Sequence, residues 1–222
     1  MSAQGAFRDG NGPGFELIET LRWEPQAGFV RRERHLARLF RSVAQLGFAR
    51  NLKAVEKVLA SVDGHSPLRV RLLVAPNGAA RVTAQSFVPL AGDAVWTLRI
   101  AGTRLASADP LLRHKTTRRN LYEAARAEFP ATAADEVILL NERGSVCEGT
   151  ITNLFDDTDD DGPLLTPPIA AGLLPGILRE ELLETGKARE TALSPSNLKA
   201  ARRLFVGNSL RGLIRARLPQ GG

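Results

Sequence analysis

The stretch DEVILLNERGSVCEGTITNLF (135–155) sets the architecture of the C-terminal half, because two apolar runs flank the polar NERGS turn and read as a β-hairpin. ITNLF reads as a continuation of the second strand, and the acidic DDTDDDG (156–162) as a solvated turn after it. Working outward toward the C-terminus, PLLTPP is a strand end and GILREELLETG a helix. KARETAL is a strand, SPSNLKAA a helix capped by Ser194 or Ser196, and RLFVGNSLRGLIRARL a closing strand pair. Working back, HKTTRRNLYEAAR (114–126) runs from a polar segment into a helix expected over about 118–129. The preceding TRLASADPLLR has neither a helical nor a strand period and carries Pro110. It reads as an inter-domain connection leading into an active-site segment.

In the N-terminal half the first dozen residues, rich in Gly and Asn, are expected to be loose. FELIETLRW (15–23) is a strand, PQAG a turn and GFVRR a short returning strand. ERHLARLFRSVAQLGF (33–48) places Leu36, Leu39, Phe40, Val43 and Leu46 on one helical stripe with arginines around the rest. Residues 52–62 form a second helix, and LRVRLLVAP, AARVTAQSFVPL and VWTLRIAG are three strands separated by Asn-Gly and Gly-Asp turns. The pattern predicts an α/β protein with an N-terminal domain over 1–104 and a C-terminal domain over 105–222, without internal repeats.

The chain of 222 residues is 43% hydrophobic, ample for a packed core. A single cysteine, Cys147, excludes an intramolecular disulfide and a cysteine-based metal cluster, and the three histidines at 35, 65 and 114 lack metal-ligand spacing. No apolar run near the start resembles a secretion signal, so a reducing cytoplasm is the simplest expectation. Nothing approaches the roughly 20 apolar residues that cross a bilayer, so no membrane partner is expected. The net charge is +6, with arginines clustered at 31, 32, 34, 38 and 41 and again at 113, 118 and 119. Arginine forks suit carboxylates and phosphates of either a polynucleotide or a small ligand. With one Tyr and two Trp there is no stacking platform for bases, so a small anionic substrate is expected rather than nucleic acid. Walker-type loops, GxGxxG after a strand and GxSxG elbows are absent.

Two polar residues stand in unusual settings. Lys115, beside His114, Thr116 and Thr117, has an amine able to form a Schiff base with an aldehyde. Glu148 stands among the apolar residues of a strand and needs a partner there, since an unpaired carboxylate would take up a proton. Such a carboxylate can hold a proton on a pyridine nitrogen, and the pair would then form the two ends of a pyridoxal phosphate site. The plainer readings are a solvated lysine and a glutamate salt-bridged to a nearby arginine. LLPGILRE (173–180) enters a helix through Pro-Gly, which sets the N–H groups of Ile177 and Leu178 at the positive end of the helix dipole. VGNSLRG (206–212) offers Asn208 and Ser209 in a turn suited to an anion, although both segments are also common structural features.

The ordered set ETLR (19–22), RHLARL (34–39), HKTTRRNLYEAAR, DEVILLNERGSVCEGTITNLF, LLTPPIAAGLLPGILRE and FVGNSLRG resembles the class IV aminotransferases, the fold-type IV pyridoxal phosphate enzymes. That resemblance implies a small N-terminal α/β domain and a larger, barrel-like mixed α/β C-terminal domain. The cofactor would lie between them, in a homodimer whose neighbouring subunit helps line each site. It implies Lys115 as the Schiff-base lysine, Glu148 as partner of the pyridine nitrogen, and Arg38 as a phosphate ligand joined by donors of Ile177, Leu178, Asn208 and Ser209. Tyr122 would lie near the cofactor or simply pack its helix. Leu178 departs from the family pattern, which commonly has threonine there, losing a hydroxyl while keeping the N–H. FELIETLRW, RHLARL and LLRHKTTRR are most similar to the 4-amino-4-deoxychorismate lyase branch, which releases pyruvate and 4-aminobenzoate in the folate pathway. Arg22, Arg31, Arg32, Arg118 and Arg119 would then be candidate partners for substrate carboxylates. The alternatives are a class IV aminotransferase for branched-chain or D-amino acids, and a basic binding protein that kept the fold without its chemistry.

Overall fold

The computed structural model describes residues 14–157 and 162–219; the N-terminal dozen and the middle of the acidic turn lie outside the described residues. Strand alternation in β1 (Leu17–Glu24) turns Leu17, Glu19, Leu21 and Trp23 to one buried face. β1 joins β2 (Gly28–Phe29), β3 (Leu68–Val74) and β4 (Ala80–Ser86) in an antiparallel sheet ordered β2-β1-β3-β4. The register sets Leu21 opposite Val70 and Glu19 opposite Leu72, so the carboxylate of Glu19 sits among core side chains. GFVRR is therefore a two-residue strand. Arg31 takes a left-handed conformation (φ 56) and helix α1 (Arg32–Leu46) begins directly after it. The buried side of α1 carries His35, Arg38 and Ser42 as well as Leu36, Leu39, Val43 and Leu46, whereas Phe40 sits at its rim. Gly47 ends the helix at φ 71, its N–H donating to Val43 O, as a left-handed C-cap requires. Helix α2 (Leu52–Ala60) starts at Asn51, whose side chain accepts from Ala54 N at 3.1 Å.

The chain divides into two compact units, one running to Pro89 and regaining His114–Arg118, the other holding Leu90–Arg113 and the chain from Arg119 onward. The second unit has an eight-stranded mixed sheet ordered β10-β9-β8-β11-β12-β5-β6-β7. Its strands are β5 (Val95–Leu105), β6 (Glu136–Asn141), β7 (Val146–Gly149), β8 (Asn153–Asp157), β9 (Leu164–Thr166), β10 (Ala188–Glu190), β11 (Arg203–Asn208) and β12 (Gly212–Arg217). Helices α3 (Asn120–Ala127), α4 (Ile177–Glu184) and α5 (Pro195–Ala200) complete it, and Ser194 caps α5. Leu98, Ile138, Leu154, Val206 and Ile214 pack one core cluster, while Leu105, Ala125, Val137, Leu139 and Leu173 pack another. An α/β protein with one small and one large sheet stands as expected.

Three expectations change. The acidic run read as a solvated turn begins inside β8, where Asp156 and Asp157 are buried. VWTLRIAG, read with the N-terminal strands, is part of β5 in the large sheet, where it pairs in parallel with β6 and β12. ITNLF does not continue the hairpin: β7 ends at Gly149, and β8 leaves to pair with β11 and β9. The cause is the fully buried Glu136. Its carboxylate accepts from Thr150 N (3.0 Å) and Oγ1 (2.6 Å), Ile151 N (3.1 Å), Thr152 Oγ1 (2.8 Å) and Val137 N (2.8 Å). These bonds fold residues 149–152 into a tight turn, and a Cβ on Gly149 would lie only 2.8 Å from Glu136 Cδ.

Asp156, buried on β8 across from Leu165 and Leu204, has no hydrogen-bond partner for either carboxylate oxygen among the described residues. Burial, with the charge of Asp157 in support, pushes its carboxyl up to about 6 from 3.8. The folded state therefore binds this proton more tightly than the unfolded chain, and stability falls as pH rises through the window from about 4 to about 6. Asp156→Asn is expected to raise unfolding free energy at pH 8 by about 2 kcal/mol, with the gain gone at pH 4. Urea titrations at the two pH values measure it.

Candidate active site

Lys115 reaches its position because the segment around it adds to the first sheet. Ile18 N donates to Lys115 O at 2.8 Å, Thr117 N to Glu16 O at 2.9 Å, and buried Thr116 bridges Leu17. One residue earlier, His114 Nδ1 meets Ser42 Oγ of α1 at 2.9 Å. The lysine is thus fixed at its main chain on both sides while its side chain stays half-buried. On the buried face of the same sheet Glu19 accepts from Arg38 Nε and Nη2 of α1 at 2.9 and 2.6 Å, and His35 Nδ1 meets Glu19 Oε2 at 2.7 Å. Burial opposes the charge on Glu19, yet Arg38 and His35 hold its carboxyl down at about 2. The opposite face carries Arg22 across from Arg69, and Arg71 between Thr20 and Thr83. Arg22 pairs with Glu24 and lies over the Phe87 ring.

In the second unit Glu148, 4% exposed on β7, accepts from the Tyr122 hydroxyl at 2.8 Å and from Leu174 N at 3.2 Å, both on Oε1. Leu174 O in turn accepts from Asn153 Nδ2 at 3.1 Å, so the segment leading into α4 is held at both polar groups of one residue. α4 starts at Gly176 without a side-chain cap, which leaves the N–H groups of Ile177 and Leu178 at an open helix N-terminus. A Cβ at Gly176 would be driven into Asn153 Oδ1, so the close approach requires glycine. The β11–β12 turn lies beside this helix start: a Cβ on Gly207 would stand 2.9 Å from Leu178 Cδ2 and 2.8 Å from Gly212 O. Asn208 Oδ1 accepts from Leu210 N and Arg211 N, its Nδ2 donates to Ile151 O at 3.2 Å, and Ser209 is buried next to it. A helix N-terminus beside a glycine turn offers main-chain N–H donors of the kind that can hold an anion.

The structure brings Glu148 together with Tyr122, and Ile177 and Leu178 together with the turn at Asn208 and Ser209. Arg38 is joined to Glu19, which also meets His35. Arg31 lies at the start of α1, and Arg118 is exposed with its main-chain N–H on Thr116 Oγ1 at 3.2 Å. Sequence reasoning missed Glu19, His35, Asn153 and Leu174. Glu19 had a signal: it is the one charged member of the inward alternation Leu17, Glu19, Leu21, Trp23. Asn153 and Leu174 had none, since their roles depend on a contact between distant segments.

Residues 16–218 match the family model described as Amino-transferase class IV, and the chain belongs to that family. It is a pyridoxal phosphate-dependent enzyme, which removes the non-enzymatic reading. A Schizosaccharomyces pombe protein provisionally named aminodeoxychorismate lyase is 32% identical over 188 residues, covering 80% of this chain and 79% of its own. A Thermotoga maritima protein provisionally named branched-chain-amino-acid aminotransferase is 32% identical over 87 residues, 37% of this chain and 31% of its own. The crystal structure of a Mesorhizobium loti protein provisionally named an amino-acid aminotransferase is 55% identical, with a TM-score of 0.90 over 92% of this chain and 100% of that one. No helix among the described residues is long and apolar enough to cross a membrane.

Because the carboxyl of Glu19 is depressed, its contribution to stability is fully present above about pH 4.5 and is lost as pH falls toward about 2. Glu19→Gln is expected to cost about 3 kcal/mol at pH 7, since it leaves Arg38 buried beside a neutral amide, and to flatten the acid limb of the stability curve. Chemical denaturation between pH 7 and pH 2.5 measures both effects.

Proposed function

We propose that this enzyme is a 4-amino-4-deoxychorismate lyase, converting its substrate to pyruvate and 4-aminobenzoate, a step toward folate. The observation that carries the reading is the length of the likeness: it runs along 80% of the chain with the lyase-named relative and along 37% with the branched-chain-named one. The donor set fits pyridoxal phosphate, with a buried carboxylate for the ring nitrogen and an uncapped helix start packed against a glycine turn for the phosphate. We assign the phosphate to the main-chain donors of Ile177 and Leu178 with Asn208 and Ser209, and to Arg38, which Glu19 aims. Lys115 would hold the cofactor through its aldehyde, and its free amine would serve as the base for the proton on the substrate carbon. Glu148 would keep the ring nitrogen protonated. When bound, pyridoxal phosphate supplies an electron sink for the pair left behind on that carbon.

The substrate carries two carboxylates. Arg22, on the sheet face it shares with Arg69 and Arg71, is assigned to one of them, with Arg31 and Arg118 as further partners. A homodimer and a cytoplasmic location go with this reading. The second reading, an amino-acid aminotransferase, is favoured by the 55% identity to the aminotransferase-named Mesorhizobium loti protein. The two share the lysine, the glutamate and the phosphate site, and part only after proton removal.

The test supplies cofactor-loaded protein with fresh aminodeoxychorismate and follows pyruvate and 4-aminobenzoate. Equimolar release of both, abolished in Lys115→Ala, is the expected result. Keto-acid formation from an amino-acid panel without pyruvate release would replace the lyase by the aminotransferase.

A further inference from the structure

Resting on the cofactor site just assigned, we propose that Tyr122 is a positioning residue that acts on the reaction through Glu148. Its hydroxyl donates to Glu148 Oε1 at 2.8 Å, and Leu174 N donates to the same oxygen at the longer distance of 3.2 Å. Both donors converge on one oxygen, which fixes the rotation of the carboxylate and so the direction of the other oxygen. The phenol is itself held. Its ring packs against the cluster containing Ala125, Val137 and Leu139, and the Arg119 guanidinium lies over it at 4.6 Å while also donating to Thr150 O. Burial and the charge of Glu148 push the phenol's ionisation up, so it remains a proton donor at any working pH.

The chemistry follows from what a donor does to a carboxylate. A hydrogen bond from a neutral O–H stabilises the ionised form, and an ionised Glu148 favours leaving the shared proton on the ring nitrogen. Without the phenol the carboxylate becomes the stronger base, the proton moves toward it, and the ring withdraws electrons less well. Cys147, a further ionisable neighbour of Tyr122, is buried with its thiol pushed up to about 12, so it stays neutral.

The experiment uses holoenzyme made with cofactor labelled at the ring nitrogen with 15N, in wild type, Tyr122→Phe, Glu148→Gln and the double variant. Tyr122→Phe keeps the ring and its packing. It is expected to retain the Lys115-dependent cofactor absorbance and to move the 15N shift toward the unprotonated ring. Its kcat should fall by about 10-fold, the scale of one hydrogen bond to a charged group, with KM unchanged. In the Glu148→Gln background the same substitution is expected to do nothing further. An unchanged 15N signal and kcat in Tyr122→Phe would overturn the inference alone, as would a loss of equal size in the Glu148→Gln background, which would place the phenol on the cofactor directly. Absence of Lys115-dependent absorbance in wild type would overturn the cofactor assignment and this inference with it.

Discussion

The carboxylate of Glu136, buried beneath residues 149–152, gathers five donors from its own strand and from that turn. The turn's outward carbonyls then become fixed acceptors: Thr150 O receives Arg119, and Ile151 O receives Asn208. The strand that leaves the turn starts with Asn153, which holds Leu174. One buried carboxylate therefore sets the stacking partner of Tyr122, the turn at Asn208 and the approach to α4. No residue of this hub has chemistry of its own in the proposed reaction. An unpaired carboxylate at this depth would cost several kcal/mol, so its complete set of donors is what makes the burial tolerable.

Three buried acids illustrate how surroundings divide one residue type among different tasks. Glu19 faces a guanidinium and an imidazole and is held ionised as the anchor of Arg38. Glu148 accepts from a phenol and an amide, neutral donors that orient it. Asp156 has neither kind of partner among the described residues, and its carboxyl drifts upward. The first two arrangements suit a fixed cation and a shared proton respectively. The third is a cost carried by β8, and nothing in the structure accounts for it.

Much of this was legible in the sequence, wherever local periodicity settled the matter. The hairpin of β6 and β7, the final pair β11 and β12, and the helices α1, α4 and α5 follow from apolar spacing, turn residues and caps. The place of β5 was not legible, because its parallel partners β6 and β12 lie about 40 and 120 residues away and alternation names no partner. The break after Gly149 was hidden for the same reason: it is caused by a carboxylate 14 to 16 residues upstream. Arg38 read as one more arginine on a basic helix. Its burial follows from sharing the inward side of α1 with His35, three residues before it, opposite an inward glutamate on β1.

The leucine at 178 shows why a departure from a family pattern need not remove a site. Its side chain packs with Phe155, Leu182 and Ala188 and closes on Gly207, while its N–H remains in the first turn of α4. Main-chain donors at a helix start depend on backbone position, and that position is set by glycines whose neighbours leave no room for a Cβ. At Gly176 the obstruction is Asn153 and at Gly207 it is Gly212 O together with Leu178 itself. In the proposed phosphate site, packing and anion binding would be met by different atoms of this one residue, since its side chain packs while its N–H stays in the first turn of α4.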